Sequence, residues 1–534
     1  MRPSAPESNA PKRAGDDVRV PDSALGGRSD RTLAVGKGGG SGGILGRMPL
    51  IAAFFFVLVL GLKFPILNTP HYWDALNRVH NADWVMNHGF NPFLEKGGGL
   101  LNAQGRPPFF FELLALTWTI FGRSLPVTHL VIIGFSFLGL LFTYLLGRRL
   151  AGAQVGFWAA VLLFFSPLYF AQSGLLNYEI PLTALSMMTV YFAFTRKRLV
   201  YLISAACLVL TKETGMLILL PVVLVVWLRH RKNGNVAGEL LWAASPVLAY
   251  LAWLIACRIY LGWFLFPSHL EIINLSSPLH LVRVFLARSS QMFFKNGHVI
   301  LSLVIFLTVP AWVKRLRAEK TGVVLVAAGL ASYLVFFSFY PIPLDRYLLP
   351  VYPLFFLLFF WSLAGIGRRA RAVSALALIV VVPLFIVYWT GHRNAPGSDL
   401  ESNMEYLDFI EVHADAVRYL KANFPGKRIL TDWPQTMELR YPFEGYTGRP
   451  LQASSIFEEY DPREVDLFYF VPTGVKEFAD TRDRLDLVLL ARFEKKGKEA
   501  MIYQIRGVAP GAVKSRVARD TPGRPRARSG VPGT

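Results

Sequence analysis

Cysteine is nearly absent from this chain, which has two in 534 residues. Both of them, Cys207 and Cys257, lie inside apolar stretches, so the sequence offers no disulfide framework and no indication of the redox compartment. Charged residues are scarce as well. They make up 17% of the chain, whereas ordinary soluble domains have about 25%. This composition excludes an ordinary soluble globular protein.

Nucleotide- and metal-binding motifs are also missing from the sequence. It has no phosphate-binding Gly-rich loop, dinucleotide fingerprint or Gly-x-Ser-x-Gly elbow, and the glycines at 97–99 indicate a flexible loop. The polar residues in and beside segment 261–296 lack metal-ligand spacing such as His-x-x-x-His, so no zinc site is predicted. These residues are His269, Glu271, His280, Arg283, Arg288 and His298. Because the sequence shows no nucleotide-binding fold, a substrate that arrives in the membrane plane is favoured over a nucleotide-linked one.

Apolar residues dominate the chain. They make up 53% of it, and long apolar runs recur between residues 48 and 390. This pattern predicts a polytopic helical membrane protein. The formal net charge is +20, but Lys and Arg cluster in short loops between the apolar runs and in the two ends of the chain. That distribution is typical of the positive-inside rule, so we expect the lipid bilayer as a partner and no nucleic acid.

The two ends of the chain differ in composition from the rest. Residues 1–43 and 507–534 are rich in Pro, Gly and Arg. They are predicted to be disordered tails, the first of them in the cytosol. No cleavable signal peptide is predicted.

The basic clusters determine the predicted topology. Each should face the cytosol, so an even number of crossings separates one cluster from the next. The clusters lie at 148–149, 196–198, 229–232, 314–317 and 368–371. We therefore predict an all-α polytopic domain over residues 44–390 with about eleven transmembrane helices. The predicted spans are 48–67, 125–147, 152–172, 178–195, 199–211, 215–228, 237–260, 297–313, 321–340, 346–367 and 372–390.

Segment 107–121 is apolar but too short to be one of these spans. As a helix it would cover roughly 22 Å, which is less than the ~30 Å of the hydrocarbon core. We predict an interfacial or re-entrant helix within a first outer loop, 68–124.

The same topology places a set of polar residues on the outer face of the membrane. Asp74 and Glu179 suit helix caps, and they also suit catalytic carboxylates. A divalent cation between these two acids is left open. The remaining members are typical interfacial residues, three cations and a tyrosine, that also suit a phosphate group. They are Arg106, Lys212, Arg346 and Tyr347.

Residues 391–506 have a different character. Helical periodicity at 403–420 is followed by strand-like runs at 428–431, 466–471, 487–491 and 500–505. This order predicts a small α/β domain outside the membrane. Acceptor recognition and a lid over the outer loops are both open as its role.

Six short motifs follow one another along the chain. They are Tyr72-Trp73-Asp74, Gly105-Arg106-Pro107-Pro108, Tyr144-Leu145-Leu146-Gly147-Arg148-Arg149-Leu150, Glu179-Ile180-Pro181-Leu182, Lys212-Glu213-Thr214-Gly215 and Arg346-Tyr347-Leu348-Leu349-Pro350. In their order and spacing, residues 48–390 resemble the C-type membrane glycosyltransferases. The resemblance is to family 39 and its relatives, the protein O-mannosyltransferases and lipid A aminoarabinose transferases. The chain departs from the family pattern at Ala75, where many members have a second acid, and at Glu179, where Asp is usual.

The resemblance implies a bacterial inner-membrane (plasma-membrane) enzyme. It would transfer a sugar from a polyprenyl-phosphate donor to an extracytoplasmic lipid, glycan or protein acceptor. Asp74 would be the general base of an inverting reaction, and Glu179 would orient a substrate. The donor phosphate would be bound by Arg106, Lys212, Arg346 and Tyr347. No metal ligands are assigned, and no cofactor is expected beyond the divalent cation left open above.

A transporter or flippase of lipid-linked sugars is the alternative. It would share a lipid groove and basic residues, but transporters usually contain internal repeats, and the sequence has none that we detect. A non-enzymatic membrane scaffold would leave the set of outer-face charges unexplained. The residues do not identify the donor sugar or the acceptor.

Overall fold

The computed structural model describes residues 47–93, 105–232, 235–266, 277–309, 320–340, 342, 344–364, 369–390, 398–458, 460–461, 463–472 and 476–508. Several sequence predictions fall outside these described residues. They concern the tail 1–43, all but the first two residues of the tail 507–534, the glycines at 97–99, His269, Glu271, the cluster 314–317 and Arg368.

Most of the described chain is helical. The α-helices are Met48–Lys63, Asp74–Asn87, Phe109–Phe121, Leu125–Ala151, Ala153–Phe165, Pro167–Gln172, Glu179–Thr195, Arg198–Val209, Met216–His230, Val236–Ala244, Val247–Tyr260, Pro278–Phe293, His298–Leu307, Lys320–Ser338, Tyr352–Ala364, Arg369–Trp389, Tyr406–Asn423, Gln435–Arg440 and Lys476–Arg484. Short 3-10 turns lie between some of them, at Phe64–Ile66, Glu213–Gly215, Lys295–Gly297, Asp345–Val351, Ser398–Ser402 and Pro442–Glu444.

Within the described residues, five helical segments are long and apolar enough to cross a membrane, and two bent pairs raise the number to seven. The five are Met48–Ile66, Leu125–Ala151, Glu213–His230, Thr321–Ser338 and Asp345–Ala364. Each of the predicted spans overlaps at least one helix. The prediction of a polytopic helical protein is therefore confirmed, while the count of eleven crossings stays a prediction.

Prolines interrupt two of the predicted spans. Segment 152–172 forms two helices that meet at Pro167, and segment 237–260 forms two helices that meet at Pro246. The second pair is bent by 46°. Proline lacks the backbone N–H and its ring clashes with the preceding turn, so a straight continuous helix is disfavoured at both positions.

Two helices lie in segments that were predicted to be outer loops. Asp74–Asn87 lies in the loop 68–124, and Pro278–Phe293 lies in the loop 261–296. Polar residues interrupt the apolar ones in both segments, so neither has the continuous apolar run that indicates a span. In Asp74–Asn87 apolar residues such as Leu76 and Val79 are buried, whereas Leu279 and Leu286 of Pro278–Phe293 are exposed.

Helices Leu125–Ala151 and Ala153–Phe165 pack closely because two glycines face each other. A Cβ placed on Gly147 would lie 2.5 Å from the Cα of Gly156, and one placed on Gly156 would lie 2.7 Å from the backbone nitrogen of Arg148. Both positions therefore require a residue without a side chain.

Gly156→Ala should consequently lower the thermal unfolding temperature of the purified protein in detergent. Overpacking of this kind typically costs about 1–3 kcal/mol. Gly134→Ala is the matched control, because Gly134 lies in the same helix pair and its Cβ would meet nothing within 4 Å. Equal unfolding temperatures for the two variants would contradict the close approach of these helices.

Helix Glu179–Thr195 connects a residue predicted on the outer face with a basic cluster predicted in the cytosol. It has 17 residues, which corresponds to a length of about 25 Å. Glu179 begins it, and Arg196 follows its other end. At that end Arg196 lies 3.3 Å from Glu239 and 3.0 Å from His230. Two predicted cytosolic clusters therefore meet at the end of the helix opposite Glu179.

The C-terminal segment contains a five-stranded mixed sheet, which confirms its predicted α/β character. The strands are Ile429–Thr431 (β1), Ala453–Ser455 (β2), Leu467–Phe470 (β3), Leu485–Lys495 (β4) and Lys498–Val508 (β5). Their order is β2-β1-β3-β5-β4. β1 is parallel to β2 and to β3, whereas β5 is antiparallel to β3 and β4. Helix Tyr406–Asn423 packs against the β4–β5 hairpin.

This C-terminal segment also packs against segment 68–124, the predicted first outer loop. Tyr72 and Leu175 are buried in the same hydrophobic cluster as the sheet residues. The backbone N–H of His71 donates to the carbonyl of Glu444 at 3.0 Å, and the hydroxyl of Tyr446 donates to the carbonyl of His71 at 3.0 Å. The C-terminal segment thus fixes the position of the residues immediately before Asp74.

Candidate active site

Asp74 is the first residue of helix Asp74–Asn87, and its carboxylate has two cationic partners. Its Oδ2 lies 3.5 Å from Nη2 of Arg78, one turn along the helix, and it also accepts a hydrogen bond from Nη2 of Arg346. Burial by itself raises the pKa of this carboxyl, but Arg78 and Arg346 outweigh burial and hold the pKa well below its usual range. Asp74 is therefore an ionised carboxylate.

Arg346 is the centre of the cluster. Its side chain is 4% exposed and is enclosed by three carboxylates. Nη2 donates to Asp74, Nη1 donates to Glu401, and Nε lies 4.0 Å from Oε1 of Glu179. A buried guanidinium with this many donors needs such partners, because an unpaired buried charge is very costly.

Glu179 and Lys212 form a second buried ion pair beside Arg346. Nζ of Lys212 donates to Oε1 of Glu179 at 2.9 Å and lies 4.4 Å from the ring centre of Tyr347. The Oε2 atom of Glu179 is buried and, among the described residues, has no hydrogen-bond partner. A buried acceptor without a partner is unusual, and a hydrogen bond from a ligand hydroxyl would satisfy it.

Arg106 lies at the edge of the cluster. Its Nη1 is 3.6 Å from Oε1 of Glu213, and the two side chains are 25% and 33% exposed. Asp74 and Tyr347 also contribute to its electrostatic environment. This pair is the most hydrated ion pair of the cluster, so breaking it should cost less than breaking the buried pairs.

The structure thus brings together all six residues that the sequence predicts for the site, and it adds further partners. With these partners the cluster contains four acids and four cations, so its formal charge is zero. The acids are Asp74, Glu179, Glu213 and Glu401, and the cations are Arg78, Arg106, Lys212 and Arg346.

Three charged members of the cluster were not among the predicted site residues, and one of them, Glu213, stands beside Lys212 in a predicted motif. Arg78 follows Asp74 by four residues, the spacing that places two side chains on one helix face, and recognition of the helix would have identified it. Glu401 lies on the turn Ser398–Ser402 and pairs with a residue 55 positions earlier, so no local pattern signals it.

The polar residues of segment 277–309 lie outside this cluster. Arg288 donates to the carbonyl oxygens of Phe337 and Tyr340, and Nδ1 of His298 bonds to the carbonyl of Met292. Over the described ranges, no group of three or more His, Cys, Asp or Glu side chains is arranged to hold a metal ion. Between Asp74 and Glu179 the positive charge is that of Arg346.

Comparison with known proteins identifies related sequences and folds. Residues 105–263 match the family model of the dolichyl-phosphate-mannose-protein mannosyltransferases. The crystal structure of ArnT from Cupriavidus metallidurans in the apo state matches with 15% identity and a TM-score of 0.54, covering 85% of this chain and 97% of ArnT. Among curated proteins, none matches.

A second ArnT structure, bound to undecaprenyl phosphate, matches with 16% identity and a TM-score of 0.56 over the same 85% and 97% of the two chains. At this level of identity the likeness concerns the fold. The chain therefore has the fold of the C-type membrane glycosyltransferases, and its residues 105–263 are similar to the protein mannosyltransferase family, as the sequence motifs predict.

Proposed function

We propose that this protein is an integral membrane glycosyltransferase. It transfers a sugar from a polyprenyl-phosphate donor to an acceptor outside the cytoplasm, with inversion at the anomeric carbon. The match to the mannosyltransferase family and the fold shared with an undecaprenyl-phosphate-bound protein support this class of donor.

The observation that carries the proposal is an open apolar groove whose first lining residue, Met216, follows the cationic Lys212 closely in sequence. Its volume is about 640 Å³, and its lining consists of side chains of segments 216–227 and 240–247. The lining begins at Met216, directly after the turn Glu213–Gly215 that follows Lys212. A lipid with an anionic headgroup and a long apolar chain has the matching chemistry, with its phosphate at the cations and its chain in the groove.

Asp74 is the general base in this proposal. Within the described part of the chain, the ion pairs and hydrogen bonds of its carboxylate all involve Oδ2, and its side chain is 26% exposed. Oδ1 is therefore the oxygen that can accept the proton of the acceptor nucleophile, a hydroxyl or an amine. A carboxylate with a depressed pKa is a weak base, so proton transfer occurs late, as the bond to the anomeric carbon forms and the nucleophile becomes acidic.

The leaving group is the polyprenyl phosphate. As the acceptor atom attacks the anomeric carbon from the opposite face, the bond from that carbon to the phosphate oxygen breaks and its electron pair stays on the phosphate. Arg106, Lys212, Arg346 and Tyr347 would stabilise this charge. The orphaned Oε2 of Glu179 would accept a hydrogen bond from a substrate hydroxyl and orient it.

The proposed reaction gives a role to each of the two domains and a side of the membrane to the active site. Residues 44–390 would form the catalytic membrane domain, and residues 391–506 an extracytoplasmic domain that contacts the acceptor or covers the site. The active site would face away from the cytosol in a plasma membrane, because the basic clusters meet at the opposite end of helix Glu179–Thr195.

Arg106→Gln should weaken the interaction with the donor more than it affects the fold. A charge-assisted hydrogen bond contributes about 1.5–3 kcal/mol, so the KM for the donor should rise roughly 10- to 100-fold. The unfolding temperature should change little, since Arg106 and Glu213 are partly hydrated. Arg123→Gln, in the same outer loop and paired with Asp83, is the control and should leave the donor KM unchanged. An unchanged donor KM in Arg106→Gln would remove this residue from the phosphate site.

Mass spectrometry of cells that lack the protein tests the proposed function. We expect the polyprenyl-phosphate sugar donor to accumulate and one glycosylated envelope component to disappear. Expression of the intact chain should restore both. Unchanged profiles of lipid-linked sugars and envelope glycans would contradict the proposal.

A further inference from the structure

Glu401 occupies the position at Arg346 that an anionic ligand would need. Its Oε2 accepts a hydrogen bond from Nη1 of Arg346, and both side chains are almost completely buried, at 1% and 4% exposed. Asp74 takes the neighbouring Nη2. The two terminal nitrogens of the guanidinium are therefore each paired with a carboxylate from the protein itself.

The surroundings hold Glu401 firmly in this place. Nδ2 of Asn177 donates to its Oε1 at 3.2 Å, and Nε2 of Gln172 donates to its carbonyl oxygen at 2.9 Å. The next residue, Ser402, donates to Oδ2 of Asp345 at 3.3 Å. The turn Ser398–Ser402 is thus anchored to the membrane domain at three points.

We propose that Glu401 is an internal competitor of the donor phosphate for Arg346. This inference rests on the proposed function and names the residue that sets the affinity of its anion site. A phosphate can accept a hydrogen bond from Nη1 of Arg346 only after the Glu401 carboxylate has moved away from that nitrogen. Because the cluster has a formal charge of zero with Glu401 in place, displacement of Glu401 also provides the positive charge that a phosphate requires.

The location of Glu401 links this competition to the C-terminal segment. Glu401 lies between the last membrane helix, Arg369–Trp389, and the helix Tyr406–Asn423 that packs on the β4–β5 hairpin. A movement of the C-terminal segment that withdraws the turn Ser398–Ser402 would free Arg346. Donor binding and the position of the C-terminal segment are therefore thermodynamically coupled, and the coupling acts in both directions.

Glu401→Gln tests this inference through the binding of undecaprenyl phosphate, which we would measure by calorimetry on the purified full-length protein in nanodiscs. The neutral amide keeps the shape of the side chain and the contact with Asn177 but no longer competes as an anion. We expect undecaprenyl phosphate to bind Glu401→Gln roughly tenfold more tightly than it binds the wild type. In the wild type only the molecules in which Glu401 has released Arg346 can bind the phosphate, and the apparent affinity is reduced by that fraction. Undecaprenol, which has the same chain without phosphate, should bind both proteins equally.

Two further variants serve as controls. Glu405→Gln removes another buried acid of the same segment, one that pairs with Lys498 at 3.1 Å, and it should leave the affinity unchanged. Asn177→Ala keeps every charge but loosens Glu401, so it should tighten binding to a smaller extent. This second variant keeps the test possible if Glu401→Gln does not fold.

Each outcome of the binding measurement is informative. If the wild type binds undecaprenyl phosphate and neither Glu401→Gln nor Asn177→Ala binds more tightly, Glu401 does not compete for Arg346 and the inference is wrong, although the proposed function stands. If neither the wild type nor Glu401→Gln binds the lipid, the proposed donor site itself is wrong. If Glu401 served folding alone, Glu401→Gln would lower the unfolding temperature without increasing the affinity for undecaprenyl phosphate, and the inference would be wrong.

Discussion

Asp74→Asn is expected to reduce sugar transfer by a factor of about 10²–10⁴, the usual contribution of a positioned general base. Asparagine has nearly the same size as aspartate and can still accept a hydrogen bond from Arg346. It cannot take the proton of an acceptor hydroxyl or amine. The variant should therefore fold and bind donor while the chemical step fails, so kcat falls and the donor KM changes little.

The control for this variant lies on the same helix. Asp83 belongs to helix Asp74–Asn87 and pairs with Arg123, and Asp83→Asn should retain nearly full activity. Both variants would be assayed in membranes at matched expression. Full transfer by Asp74→Asn would show that another group accepts the proton.

Arg346→Gln should be among the most destabilising single substitutions in this chain. Its removal leaves Asp74, Glu179 and Glu401 near one another without the cation that they share. The loss of one partner from a buried ion pair costs about 3–5 kcal/mol. We expect this loss in denaturant unfolding of the purified protein, together with the loss of transfer.

A double-mutant cycle separates this effect from ordinary damage to the fold. Glu401→Gln combined with Arg346→Gln removes both charges, and the double variant should be more stable than the sum of the two single losses predicts. Arg428→Gln breaks a well-exposed pair with Glu464 and should cost only ~0–1 kcal/mol. Strict additivity in the cycle would mean that Arg346 and Glu401 do not interact in solution.

The fold could be predicted from the sequence wherever one physical signal dominates. Long apolar runs become helices because a membrane leaves backbone groups no other partner, and each predicted span overlaps a helix. Helix Pro278–Phe293 was missed because polar residues such as His280, Arg283 and Arg288 interrupt its apolar run. The break at Pro246 was missed because the apolar run continues through it.

Only those site residues that belong to local sequence motifs could be predicted. The six predicted residues stand in short motifs near the ends of apolar runs, and the fold brings those ends together. Glu401 has no such signal, since its role depends on a contact with Arg346 across 55 positions. The lowered pKa of Asp74 depends first on Arg78, which is local, and then on Arg346, which is distant in sequence.

The measurement that tests the central claim most directly is transfer by the purified protein itself. Protein in liposomes would be incubated with polyprenyl phosphates that carry labelled sugars, together with extracts that contain candidate acceptors. We predict that the label leaves the lipid with time, that free polyprenyl phosphate appears in equal amount, and that Asp74→Asn abolishes both. Label that stays on the lipid, or that crosses the bilayer with the lipid intact, would contradict a glycosyltransferase and indicate a transporter instead.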